Sequence, residues 1–144
     1  MTHIERINFL LEQLDDKLKN TLSLREKNLE KIQKLFKTLR LDKKHANFTS
    51  IFNYQAINLA GIGLKNEDFG EIREGKYVQI IAIASEINNN GEKIIKNLSL
   101  GYYGKAEKLS QKEKGNIIEF VLRWRYEKTF QHSDYYQQLL EKLH

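Results

Sequence analysis

The first 45 residues contain neither glycine nor proline, and they carry a helical pattern of apolar side chains. Apolar residues recur there at intervals of three and four, which alternate except at Leu14, Leu18 and Leu22, and this spacing places side chains on one face of an α-helix. We call this set the apolar stripe: Ile4, Ile7, Leu11, Leu14, Leu18, Leu22, Leu29, Ile32, Phe36 and Leu39. Thr2 and Glu5 stand at capping-box spacing, so a helix is expected to begin at once. Arg25 is the one polar residue within the series.

The length of this segment raises the question of what covers its stripe. A continuous helix would be roughly 55 Å long at 1.5 Å per residue, which exceeds the diameter of a globule of this size. Part of the stripe then needs a second helix, most simply from another copy of the chain. The alternative is a helical hairpin, because Ser23 and Glu26 form a second capping box. We prefer the continuous helix, and it predicts self-association through seven residues: Ile4, Ile7, Leu11, Leu14, Leu18, Ile32 and Leu39.

The positive charge is concentrated in this first third of the chain. The whole chain carries +5, and its first 45 residues hold eleven Lys and Arg against seven Asp and Glu. Lys27, Lys31 and Lys34 share a narrow helix face, and Lys37 lies further around. One interpretation is a solvated surface whose cations complement the helix dipole. The other is a surface for an acidic partner, either an acidic protein or the phosphates of a nucleic acid.

The second half of the chain has the character of a β-sheet. Residues 77–85 are β-branched and almost continuously apolar, which is typical of a strand covered on both faces. An Asn-Gly pair at positions 90–91 is a strong hairpin signal, and residues 93–102 then alternate. These features predict an antiparallel hairpin. The alternative is a helix over 77–87, because its apolar residues also fit helical spacing.

The patterns of two further segments are compatible with either a helix or a strand. We prefer a short helix within 46–64 that ends at Gly61, although the alternation over 54–60 also allows a strand. Residues 117–127 alternate as well, and we prefer a third antiparallel strand on which Arg123 and Arg125 share one face and add to the basic surface.

The competing interpretation of 117–127 is a helix capped by Ser110. With the strand, Ser133 caps a short final helix whose inner face is apolar and carries Tyr136, Leu139, Leu140 and Leu143. The expected fold class is α+β: a long N-terminal amphipathic helix or helical hairpin, an antiparallel β-meander of three to four strands, and a short C-terminal helix. We expect a single domain, with a helical arm over 1–45 and an α+β body over 46–144.

Composition excludes several kinds of site. The chain has no cysteine, so disulfides, zinc–thiolate sites, iron–sulfur clusters and thiol nucleophiles are excluded. None of the four histidines stands at a metal-ligand spacing, and no catalytic or cofactor motif is recognisable, so we expect no metal and no cofactor. No stretch approaches the roughly 18 apolar residues of a membrane span. We therefore expect a cytoplasmic protein that does not enter a membrane.

Arg125, followed by six residues and then His132, resembles the R-x(4–6)-H motif of HEPN ribonucleases. The resemblance implies an all-helical fold and a ribonuclease site at these two residues. Tyr126 departs from the polar residue that usually follows the arginine in that family.

The function that these features favour is a non-enzymatic binding or assembly protein. It would self-associate through its N-terminal helix and present a basic surface to an acidic partner. A nucleic-acid-binding accessory protein and a small HEPN-like ribonuclease are the alternatives.

Overall fold

The computed structural model describes residues 2–144, apart from the side chain of Leu18. Its main elements are helix α1 (His3–Thr38), strands β1 (Ala56–Ala60), β2 (Tyr77–Ile87) and β3 (Lys93–Lys105), and helix α2 (Gln111–Glu141). Short 3-10 helices occur at Leu41–Lys43, Phe48–Asn53 and Ala106–Lys108. The predicted α+β fold is confirmed, with a long N-terminal helix, an antiparallel sheet and a C-terminal helix.

Helix α1 is continuous from His3 to Thr38, so no hairpin forms near Ser23. Its predicted capping box is present: the Glu5 amide donates to the Thr2 hydroxyl, and the Thr2 amide donates to the Glu5 carboxylate, each at 3.1 Å. The helix ends where Arg40 adopts a left-handed conformation with φ of 62°. This turn redirects the chain towards the sheet.

The three strands form an antiparallel sheet in the order β1-β2-β3. The predicted hairpin is confirmed, because β2 pairs with β3 from Tyr77 opposite Lys105 to Ile87 opposite Lys93. In the turn, the Asn88 side chain accepts from the amides of Asn90 and Glu92. Strand β2 is therefore the central strand of the sheet.

The predicted helix within 46–64 is wrong. A 3-10 helix over Phe48–Asn53 is followed instead by β1, which pairs with β2. The alternation in this segment is that of a half-buried strand, because Ile57 faces the core and Asn58 is exposed. Gly61 ends the strand rather than a helix, with φ of +89° beside the Tyr77 carbonyl.

The predicted strand at 117–127 and the short final helix at Ser133 are also wrong. Both belong to the 31-residue helix α2, which Ser110 caps by accepting from the Glu113 amide at 3.1 Å. Apolar side chains at helical spacing are buried along it: Ile117, Ile118, Phe120, Val121 and Trp124. Burial against both the sheet and α1 outweighs the cost of Gly115 in the second turn, about 1 kcal/mol relative to alanine.

The core lies between the helices and one face of the sheet. Alternate residues Val78, Ile80 and Ala82 of β2 are buried in one cluster with side chains of α1 and α2, whereas the intervening residues are partly exposed. Contacts of Asn28 with Arg123 and of Arg40 with Glu113 show that α1 and α2 run antiparallel. The inner ends of both helices are thus fixed by the core.

Candidate functional site: a helical arm and a basic groove

The two helices extend beyond the core as an arm, which we define as residues 3–24 of α1 and residues 128–144. Every described side chain between Thr2 and Leu24 is exposed. The apolar stripe nevertheless continues through this region, with Ile4 72% exposed and Leu14 56% exposed. Further along the same stripe, Ile32 is 0% exposed and Leu39 is 3% exposed. One stripe therefore has a buried half and an uncovered half.

This difference in exposure separates the residues expected to mediate self-association into a buried group and an exposed group. Ile32 and Leu39 are part of the chain's own core and are not available to a partner. Leu18 lies in α1, but its side chain is outside the described part of the chain. The remaining four are exposed on the arm: Ile4, Ile7, Leu11 and Leu14.

The C-terminal end of the chain adds further exposed apolar side chains to the arm. The expectation that they form an inner face is wrong, because all of them are exposed: Tyr136, Leu139, Leu140 and Leu143. Tyr136, Leu139 and Leu140 lie on the continuation of α2 past the core, and Leu143 follows the end of this helix at Glu141. Both helices thus contribute uncovered apolar surface to one arm.

An ion-pair cluster marks the boundary between arm and core. Arg25, the polar member of the stripe, donates from Nε to Glu127 Oε1 at 2.6 Å and from Nη1 to Asp134 at 2.8 Å. The Glu127 side chain is almost fully buried, whereas Asp134 is half exposed. Hydrogen bonding to Asp134, with a further contribution from Glu127, raises the pKa of Arg25 above its usual value. This ion-pair cluster thus joins α1 to α2 at the position where the core stops covering the apolar stripe.

A second feature is a groove between the inner halves of the two helices. We define the basic groove by its lining residues, Lys31, Lys34, Leu35 and Thr38 of α1 and Lys112, Asn116 and Glu119 of α2. Its volume is about 510 Å³, and it is open to solvent. Its three lysines form no ion pair with any residue that the structure describes. Glu119, the groove's acidic residue, is instead paired with Arg123 at 2.7 Å.

The other predicted basic residues are placed in different ways. Lys27 is exposed one turn before Lys31 on α1, and Lys37 lines a shallow depression beside Lys34. Arg123 and Arg125 do not share a strand face, because both lie on α2. Arg123 contacts Glu119 and Asn28, and Arg125 donates to the Ile57 carbonyl and to Asn58 at the sheet edge.

Lys112 and Asn116 were missed by the sequence analysis. The sequence feature that could have identified them is the Ser110 cap. Once α2 is recognised as a helix, positions 112, 116 and 119 fall on one of its faces. Only the packing of α2 against α1 then places them opposite Lys31 and Lys34.

The net charge changes along the first 45 residues near the position where the apolar stripe becomes buried. Residues 1–24 hold three Lys and Arg against four Asp and Glu, a net charge of −1. Residues 25–45 hold eight against three, a net charge of +5. The arm is therefore close to neutral, and the part of the chain around the basic groove carries the positive charge.

Other kinds of site find no support in the described residues. Among them, no group of three or more His, Asp or Glu side chains could hold a metal ion. Neither helix, as far as the structure describes it, is long and apolar enough to cross a membrane. The three-stranded sheet differs from the all-helical fold that the HEPN resemblance implies, and Arg125 is engaged with Ile57 and Asn58.

Comparison with known proteins identifies no relative: no protein-family model, curated protein or solved structure matches this chain.

Proposed function

We propose that this protein is a non-enzymatic assembly protein that self-associates through the arm and presents the basic groove to an acidic partner. The observation that carries the proposal is the change in exposure along one stripe, from buried Ile32 to exposed Leu14. Both halves of the stripe keep intervals of three and four residues, so the uncovered half has the pattern of a helix that packs against another helix.

The amount of uncovered apolar surface supports an interface. A soluble monomer rarely exposes a contiguous apolar patch of more than a few hundred Å², and larger patches mark interaction sites. Burying one large aliphatic side chain contributes about 1.5–3 kcal/mol. The arm comprises 22 residues of α1 and 14 of α2, which is enough to supply the roughly 20–30 residues that each partner contributes to a standard interface.

The small net charge of the arm supports pairing with the arm of a second copy of the chain. The arm has few net charges and both signs interspersed, so two arms can pair without strong repulsion. An antiparallel arrangement also keeps the two positively charged regions, residues 25–45 of each copy, at opposite ends of the pair. A parallel arrangement would bring them side by side at a cost in repulsion.

The experiment is a measurement of mass in solution by light scattering at tens of micromolar, for the wild type and for Leu14→Asp. We expect a wild-type dimer and a folded Leu14→Asp monomer with an unchanged circular dichroism spectrum, because Leu14 is exposed within the single chain. Ile87→Asp is the matched control, since it places the same charge at an exposed apolar position outside the arm and leaves the dimer intact. A wild-type monomer under these conditions would overturn the proposal.

A further inference from the structure

We propose that the acidic partner of the basic groove is double-stranded nucleic acid, held through its phosphates without regard to base sequence. This inference rests on the proposed function, because it names the chemical class of partner for the same groove. It depends on three features: the unpaired lysines, their arrangement along two helices, and the side chains that line the groove.

Cations from two different helices converge on the groove. Lys31 and Lys34 come from α1, and Lys112 comes from the first turn of α2. Glu119 does not neutralise them, because its carboxylate accepts from Arg123 Nε at 2.7 Å. Lys27 extends the α1 cations by one turn, so that residues 27–34 cover about 10 Å of helix axis. This arrangement gives an extended line of positive charge rather than a point site.

The free cations of the groove are lysines, which act as point charges and suit contact with the phosphates of a nucleic acid. A guanidinium group binds a carboxylate or a phosphate through two parallel hydrogen bonds of fixed geometry, whereas lysine acts as a mobile point charge. The arginines around the groove are engaged within the chain: Arg25 with Glu127, Arg40 with Glu113, and Arg123 with Glu119. The cations left for a partner are lysines, which suit non-directional contact with a regular phosphate backbone.

The lining of the groove favours a duplex over a single strand. Proteins that hold single strands without sequence preference stack the bases on aromatic side chains. The described residues that line the groove are lysines, small polar residues, one leucine and one glutamate. They offer charge and hydrogen-bond donors but no ring on which a base could stack. A duplex, which presents phosphates outward and keeps its bases stacked, fits this surface better.

The test uses the full chain, with fluorescence anisotropy of a labelled 20-base-pair duplex and of one of its strands alone. We expect the duplex to bind more tightly than the single strand, with an affinity that falls steeply as salt is raised. The triple variant Lys31→Glu, Lys34→Glu and Lys112→Glu should weaken duplex binding by more than tenfold and lower the salt slope. A triple Lys→Gln change at these positions should give a smaller loss in the same direction.

The matched control is Lys65→Glu, Lys76→Glu and Lys93→Glu, which changes the net charge equally at exposed lysines outside the groove. Duplex binding that falls equally in both triple variants would overturn the inference, as would tighter binding of the single strand. Poly-glutamate that binds at the groove while the duplex does not would overturn the inference and leave the proposed function standing. Binding of neither polymer would overturn both the inference and the acidic-partner part of the proposed function, whereas the mass measurement tests self-association independently.

Discussion

Arg25 Nε lies 2.6 Å from Glu127 Oε1, and this contact joins α1 to α2 at the level where the core ends. Replacing Arg25 by leucine would make the apolar stripe continuous, but it would leave the buried Glu127 carboxylate without its partner. We expect Arg25→Leu to lower the free energy of unfolding by about 3 kcal/mol, since breaking a buried pair on one side is strongly destabilising. Urea denaturation provides the measurement.

The double variant Arg25→Leu and Glu127→Leu is the control for this prediction. Replacing both charges by apolar groups is often neutral or stabilising, so most of the lost stability should return. Asp134→Asn, which removes the exposed partner of Arg25, should cost less than about 1 kcal/mol. A double variant as unstable as the single one would show that the leucine side chains do not fit this site.

His45 gives the fold a dependence on pH. Its Nε2 atom lies 3.0 Å from the Tyr54 hydroxyl, and burial, together with the neighbouring Lys44, lowers the pKa of His45 below its usual value of about 6.5. The folded state thus favours neutral His45. Its contribution to stability is present above pH 6.5 and is lost as the pH falls through the lowered pKa.

Urea midpoints measured at pH 7.5, 6.5 and 5.5 test this dependence on His45. The midpoint should fall towards acid in the wild type and fall less steeply in His45→Gln. Parallel curves for the two proteins would assign the acid sensitivity to other groups.

Gly61 is expected to tolerate no side chain. Its φ of +89° is unfavourable for L-residues, and an added Cβ would lie 2.9 Å from the Tyr77 carbonyl oxygen. Gly61→Ala should therefore destabilise the fold by more than the roughly 1–2 kcal/mol of the left-handed conformation alone. Gly75→Ala is the matched comparison, because Gly75 has a similar φ of +77° and open space around it. Equal losses of stability in thermal denaturation would show that the contact at Tyr77 relaxes freely.

The parts of the fold that the sequence predicts correctly are those set by local chemistry. The capping box at Thr2 and the hairpin turn around Gly91 depend on residues within a few positions of each other. The segment around Trp124 cannot be assigned from its local pattern, because its apolar residues fit both the two-residue period of a strand and the period of an α-helix. Only packing against the sheet and α1, with Trp124 donating to the Ile51 carbonyl, decides between them.

The candidate surfaces were predictable to different degrees. The apolar stripe is plain in the sequence, but the position at which the core stops covering it depends on where α2 and the sheet lie. Half of the basic groove was missed for the same reason. Lys112 stands 81 positions after Lys31, and their proximity follows from the antiparallel packing of two helices rather than from any local pattern.

Because α1 is continuous, the distance between its exposed apolar residues and the basic groove is fixed. Leu14 and Lys31 are 17 residues apart on one helix, which corresponds to about 25 Å of axial rise. Two copies paired antiparallel with Leu14 near their common axis would hold their basic grooves roughly 50 Å apart, twice that rise. Such a dimer would contact a long polymer at two points separated by a fixed interval. The length of α1 between Leu14 and Lys31 would then determine the spacing of the two basic grooves in the assembly.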